Sequence, residues 1–187
     1  CRRDTNIMTQ SPKIVVAISG ASGAIYAKRL LDHLRKTSAT VAIVMSDHAR
    51  QIWDAEVGTD ICAYDYRLYD KRDFNAPFAS GSNVWDALAI VPCSMGMLGR
   101  IVHGFSDDLI ARAADVFMKE RRKIIVMPRE TPYNLIHIEN MKLATLAGIT
   151  VMPASPSFYS GTKTVEEAVD TVIHRVLDHL PLLERVQ

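Results

Sequence analysis

Cysteine is scarce in this chain: Cys1, Cys62 and Cys93 are the only three in 187 residues. An odd number, with no Cys-x-x-Cys pair and no secretory spacing, argues against a disulfide framework, and a reducing cytoplasm is the expected compartment. An excess of charge of either sign is missing too. The 22 Lys and Arg against 21 Asp and Glu leave a formal charge of +1. These charges are scattered without a long basic run, so nucleic acid is not expected as a principal partner. The apolar runs are short, of a length that suits buried strands and falls far below a bilayer crossing, so no membrane partner is expected either. Residues 1–12 are polar and irregular, without the apolar stretch of a signal peptide, and are expected to form a flexible tail. The six histidines show no His-Glu-x-x-His or other ligand spacing, which predicts no metal site.

What remains is hydrophobic content of 48%, sufficient for one full core, so residues 13–187 are expected to form one domain. Lys13–Ser19 is a β-branched run ending at Gly20, and Ile25, Leu30, Leu31 and Leu34 then recur at helical spacing. Thr40–Met45, Ala87–Val91, Lys123–Met127 and Ile149–Met152 read as further buried strands. Helical patterns lie near residues 47–55, 109–120, 134–147 and 165–180. Strands alternating with helices predict an α/β fold: a doubly wound, Rossmann-like or flavodoxin-like parallel sheet with helices on both faces. Ligands of such sheets bind beyond the carboxyl ends of the strands, so the residues that follow each strand matter most.

After the first strand, Gly20-Ala21-Ser22-Gly23-Ala24 is either a plain tight turn or an anion site at a helix N-terminus, and a phosphate is expected there. A dinucleotide fingerprint fits less well. Its third glycine would fall at Tyr26, and the second strand closes on Ser46 rather than on an acid, so a mononucleotide such as FMN suits better than NAD. Ser46 could donate to the same phosphate or cap the next helix. Glu56 lies near the end of that helix, where a carboxylate is ordinarily solvated. The third strand leads into Pro92-Cys93-Ser94-Met95-Gly96-Met97, either a structural turn or a flavin contact, with Cys93 read as a packed thiol for want of a histidine base. Arg129 and Glu130 follow the fourth strand. Arg112 and Lys119, two helical turns apart, share a face. Tyr159, after a Pro- and Ser-rich loop, is a packed aromatic or a phosphate donor, and Arg175 on the last helix carries a similar ambiguity.

Together Gly20–Ala24, Ala79–Ser82, Pro92–Ser94, Asp108–Val116, Lys119–Arg122 and Pro128–Glu130 resemble the flavin prenyltransferase family, the UbiX or Pad-type proteins formerly described as aromatic acid decarboxylases. The resemblance implies that dimethylallyl phosphate reacts with reduced FMN at N5 and then C6, without a metal, giving the prenylated FMN that UbiD-type decarboxylases use. It implies FMN contacts at Gly20, Ala21, Ser22, Ser46, Ser94, Met95, Gly96, Met97 and Arg129. The prenyl phosphate falls to Lys119, Arg129, Tyr159 and Arg175, partly across a subunit boundary, and proton handling to Ser22, Glu56 and Glu130, with Ser22 relaying for Glu130. A homo-oligomer, a dodecamer with shared active sites, is implied as well. Met95 and Met97 stand where many relatives carry small hydroxyl residues, and the sequence ends at Gln187 without the aromatic-bearing tail that covers the prenyl pocket in some relatives. Two other readings remain. A flavin-dependent cysteine decarboxylase of the same superfamily would need a histidine base and Pro-Ala-Ser-Ala-Asn-Thr at the third strand end, and a non-catalytic flavin-binding protein would need no second phosphate site.

Overall fold

Along the first strand, β1 (Lys13–Ile18), every residue after Lys13 is buried, and the side chains divide by parity. Ile14, Val16 and Ile18 enter one apolar cluster, whereas Val15 and Ala17 enter the other. The period-two alternation of a strand sends successive side chains to opposite faces, so a run that is apolar throughout requires cover on both. A computed structural model describes residues 11–183 and shows that cover.

β1 is followed by α1 (Ala24–Leu34), β2 (Thr40–Met45), α2 (Asp47–Glu56), β3 (Arg67–Tyr69) and β4 (Ala87–Cys93). Then come α3 (Met95–Val102), α4 (Leu109–Lys119), β5 (Lys123–Pro128), α5 (Leu135–Leu146), β6 (Thr150–Val151) and α6 (Val165–His179). All neighbouring strands pair in parallel, in the order β3-β2-β1-β4-β5-β6. One core cluster draws on α1, α2 and α6, with Leu30, Trp53 and Ile173 buried. The other draws on α3, α4 and α5, with Leu98, Phe117 and Ala144 buried.

The five expected strands are present, β6 shortened to two residues and β4 lengthened through Pro92, where the ladder with β5 shifts register. A proline has no N–H for a regular ladder, which accounts for an irregularity at that point. Two elements escape the sequence reading. β3 is three residues without a long apolar run, and pairing with Ala42–Val44 of β2 makes it a strand. α3 begins directly after Ser94, where a turn was the alternative to a flavin contact; Gly96 and Gly99 dilute its helical signal. The tail expected over residues 1–12 lies outside the described residues up to position 10. Pro12, assigned to that tail, is buried and its carbonyl accepts from Thr40 N at 2.8 Å, so the folded chain begins before Lys13. No helix among the described residues is long and apolar enough to cross a membrane.

Candidate functional site

The sheet order reverses direction between β1 and β4: the chain leaves β1 toward β2 on one side and leaves β4 toward β5 on the other. Two strand-to-helix turns diverge there and open a crevice at the carboxyl ends. A buried hydroxyl ties them together. Ser19, 1% exposed, accepts from Ser94 N at 2.7 Å and donates to Pro92 O at 3.2 Å. Sequence reading passed over Ser19; the signal for it is a hydroxyl that closes an otherwise apolar strand.

Each turn is set by local chemistry. Gly23 has φ of +106°, a left-handed conformation costly for a side-chain-bearing residue. A Cβ on Gly20 would sit 2.7 Å from His48 Cβ, so this glycine lets α2 lie directly over the first turn. Ser46 caps α2 by accepting from Ala49 N at 3.1 Å, and Ser94 caps α3 by accepting from Met97 N at 3.2 Å. Both hydroxyls thus serve as caps and keep their own protons for donation outward.

The α1 N-terminus holds an anion, although not the phosphate expected there. Glu56, at the end of α2, accepts from Gly23 N at 2.9 Å and Ala24 N at 2.8 Å through one carboxylate oxygen. A protein carboxylate therefore occupies the positive end of the helix dipole. Partial desolvation alone would raise the Glu56 pKa. The Ser22 hydroxyl, the two amides and the Arg129 charge outweigh it, and the carboxyl is held below its usual value. Ser22 lies with Glu56, while the Glu130 carboxylate turns back to accept from Thr131 N at 2.9 Å. Arg129 reaches over the turn, its Cγ 3.9 Å from where a Gly23 Cβ would stand.

With α1 taken, the α2 and α3 N-termini are the ones left facing the crevice. Met95 and Met97 turn their side chains into the core at 6% and 2% exposure, leaving only backbone to the crevice at those positions. Gly96 is exposed, with nothing within 4 Å of its Cβ position. Cys93 is wholly buried and its thiol is pushed up to about 12 by desolvation, so the packed-thiol reading holds. Capped helix ends, cap hydroxyls with protons left to donate, the Arg129 guanidinium and an open backbone strip form a donor-rich cradle that fits a phosphorylated, planar, carbonyl-bearing group such as FMN.

Three of the residues expected at the prenyl phosphate lie elsewhere. Lys119 sits just before β5 at the amino end of the sheet, paired with Glu120 at 2.6 Å, while Arg129 sits just past its carboxyl end. A strand of that length separates them by roughly 20 Å. Arg112 helps shape the Lys119 surface by donating to Ala79 O at 3.1 Å, and Arg122 holds Gly81 O at 2.7 Å and Asn83 O at 3.0 Å. Tyr159, 95% exposed, and Arg175, paired with Asp178 at 3.3 Å, line a cavity of about 670 Å³ between α6 and the β6 edge. None of the crevice residues lines that cavity.

Comparison with known proteins shows the family. The Flavoprotein family model matches residues 2–177. A flavin prenyltransferase UbiX of Methanocaldococcus jannaschii is 48% identical over 90% of this chain and 92% of its own. The crystal structure of AnUbiX in complex with FMN and dimethylallyl pyrophosphate is 38% identical with a TM-score of 0.88, covering 90% of this chain and 92% of that one. A dodecameric FMN-dependent UbiX-like decarboxylase from Escherichia coli O157:H7 is 36% identical with a TM-score of 0.86, over 89% and 93% of the two chains. An FMN-dependent cysteine decarboxylase from thioviridamide biosynthesis reaches 14% identity and a TM-score of 0.60, a likeness of fold alone. On its fold, its strand-end residues and its similarity along nearly its whole length, the chain belongs to the UbiX family of flavin prenyltransferases.

Proposed function

We propose that the protein binds FMN in the crevice between β1 and β4 and transfers a dimethylallyl group from dimethylallyl phosphate to the reduced flavin. One observation carries this reading. An ionised carboxylate, Glu56, is held by a helix end beside Ser22 and Arg129 at the switch point, while the remaining cations stand on separate surfaces of the same chain. Reduced FMN, when bound, would supply a nitrogen to bond the prenyl carbon that loses phosphate and a ring carbon to bond the far end of the allyl group. Arg129, together with Lys119 and Arg175 from neighbouring copies, stabilises the departing phosphate with fixed positive charge, and Tyr159 donates to it. Glu56, ionised in the resting protein, takes up a proton at its carboxylate as the new bonds form, with Ser22 orienting it. Glu130, at the same end of the sheet, passes to the leaving phosphate a proton that it first takes up from solvent.

A homo-oligomer follows from the placement of the cations. Within one subunit, Lys119 and Arg129 lie at opposite ends of β5, so a phosphate touching both has to lie between subunits. α5 offers an apolar surface for such contact: Leu135, Ile136 and Leu146 are 71%, 68% and 75% exposed, and only Asn140 and Ala144 of that helix are buried. We infer a dodecamer and a UbiD-type decarboxylase as recipient of the product. Pro92-Cys93-Ser94-Met95-Gly96-Met97 standing where the cysteine decarboxylases need Pro-Ala-Ser-Ala-Asn-Thr disfavours that reading. The test is mass spectrometry of flavin extracted after anaerobic incubation with reduced FMN and dimethylallyl phosphate. A flavin heavier by one dimethylallyl group is the expected result, and unmodified flavin from FMN-saturated protein would refute the transfer.

A further inference from the structure

One side-chain cluster lies outside the crevice and has no part in the chemistry above. Asp170 of α6 faces α1, where it accepts from Arg29 Nε at 2.8 Å and, through its other oxygen, from Arg29 Nη2. His33 Nε2 lies 3.2 Å from Asp170 Oδ1, and the His33 ring meets that of His174 edge-on at 5.0 Å between centroids. His33 is 4% exposed. Burial foremost holds it neutral against the pull of Asp170, with His174 and Arg29 disfavouring its charged form further. Neutral His33 therefore donates its single proton to Asp170, and its Nδ1 has no partner among the described residues.

The next residue of α6 performs a different task. Thr171 Oγ1 accepts from Ser157 N at 2.9 Å, pinning the loop that carries Tyr159, and Arg175 follows one helical turn later. Thr171, Arg175 and Tyr159 line the same cavity. Asp170 and Thr171 are adjacent, so rotation or sliding of α6 on α1 would move the loop anchor and the guanidinium together.

We propose that Arg29, His33 and Asp170 form a positioning latch that fixes α6 against α1 and thereby presents Tyr159 and Arg175 in the geometry needed to hold the prenyl phosphate. The latch touches neither flavin nor phosphate. A bidentate guanidinium–carboxylate pair defines an angle as well as a distance, which a purely apolar seam between two helices does not. The inference rests on the phosphate reading of Tyr159 and Arg175.

The test uses the FMN-loaded assembly carrying Asp170→Asn, alone and combined with Arg175→Gln. Amide exchange in residues 155–161 is expected to rise. The KM for dimethylallyl phosphate is expected to rise about tenfold, equivalent to about 1.4 kcal/mol. For Asp170→Asn, FMN affinity should stay close to wild type. In the double variant the KM should be no worse than with Arg175→Gln alone, because Asp170 acts through Arg175. His33→Gln and His33→Ala, which leave the ion pair in place, guard against a folding defect in Asp170→Asn: Gln keeps a donor for Asp170 and should retain most of the wild-type KM, whereas Ala should not. Unchanged exchange in residues 155–161, a lowered Tm with unchanged KM, or additive KM penalties would each overturn the latch. If Arg175→Gln itself left the KM unchanged, its assignment to the phosphate would fail, and the exchange measurement would still decide whether Asp170 orders the loop.

Discussion

Glu56 joins local structure and chemistry in one side chain. Its carboxylate satisfies two amides at the α1 N-terminus, and that engagement favours the ionised form from which the proposed proton transfer would start. Glu56→Gln retains an acceptor oxygen of the same shape and loses the charge. FMN binding by fluorescence quenching should therefore survive, while turnover falls by about 10²-fold or more, the usual contribution of a positioned base. Turnover near wild type in that variant would leave Glu56 a structural cap only. The depressed folded-state pKa also links stability to pH. The contribution is complete above the ordinary carboxylate value and is lost as pH falls through the lower folded value, so the acid limb of a Tm–pH profile should flatten in Glu56→Gln. Cys93 and Cys62 provide a control of a different kind. Cys62 is exposed while Cys93 is buried with its pKa raised, so mild alkylation at neutral pH should modify Cys62 and spare Cys93 when read by peptide mass spectrometry.

Among the elements, α3 separates folding from binding most cleanly. Gly96 lies in its first turn, and a Cβ there meets nothing within 4 Å. Gly96→Ala should leave Tm unchanged or raise it slightly, because alanine in a helix is favoured by roughly 0.5–1 kcal/mol over glycine. If the flavin lies against this backbone strip, the same substitution should weaken FMN binding; equal affinity with raised Tm would move the flavin elsewhere in the crevice. This element is also poorly legible in the sequence. The long strands announced themselves as continuous apolar runs, and α1, α4 and α6 as spaced apolar residues. α3 is short, holds two glycines and begins on a serine, so its pattern matches a turn equally well. β3 has even less local signal, since Arg67–Tyr69 becomes a strand through hydrogen bonds to β2. With β3 counted, the strand order is that of the Rossmann sheet; the other five strands alone follow the flavodoxin-like order.

For the molecule as a whole, the distribution of charge decides where catalysis can occur. Crevice, Lys119 surface and Tyr159–Arg175 cavity are three separate places on one subunit, so activity should be a property of the assembly. A chain carrying Arg175→Gln keeps its flavin side, and a chain carrying Glu56→Gln keeps its clamp side. Each alone should be impaired, and mixed assemblies should recover part of the turnover, because some interfaces pair an intact crevice with an intact clamp. Proven subunit exchange without recovery would place each site within one subunit. Leu146→Asp tests the apolar helix α5: light scattering should report smaller species and prenyl transfer should fall, with circular dichroism unchanged, because Leu146 is 75% exposed in the single chain. An unchanged assembly would direct attention to another surface.

The sequence by itself determined the sheet-and-helix alternation and the strand-end positions of Gly20, Ser46, Ser94 and Arg129, because periodicity and turn chemistry act over neighbouring residues. It also carried the family resemblance. Only the tertiary structure decided what the α1 N-terminus holds and where the cations lie. Glu56 reaches Gly23 across 33 positions of chain, and Asp170 meets Arg29 across 141. Contacts of that range are set by how helices cross a sheet, and no local pattern encodes the crossing.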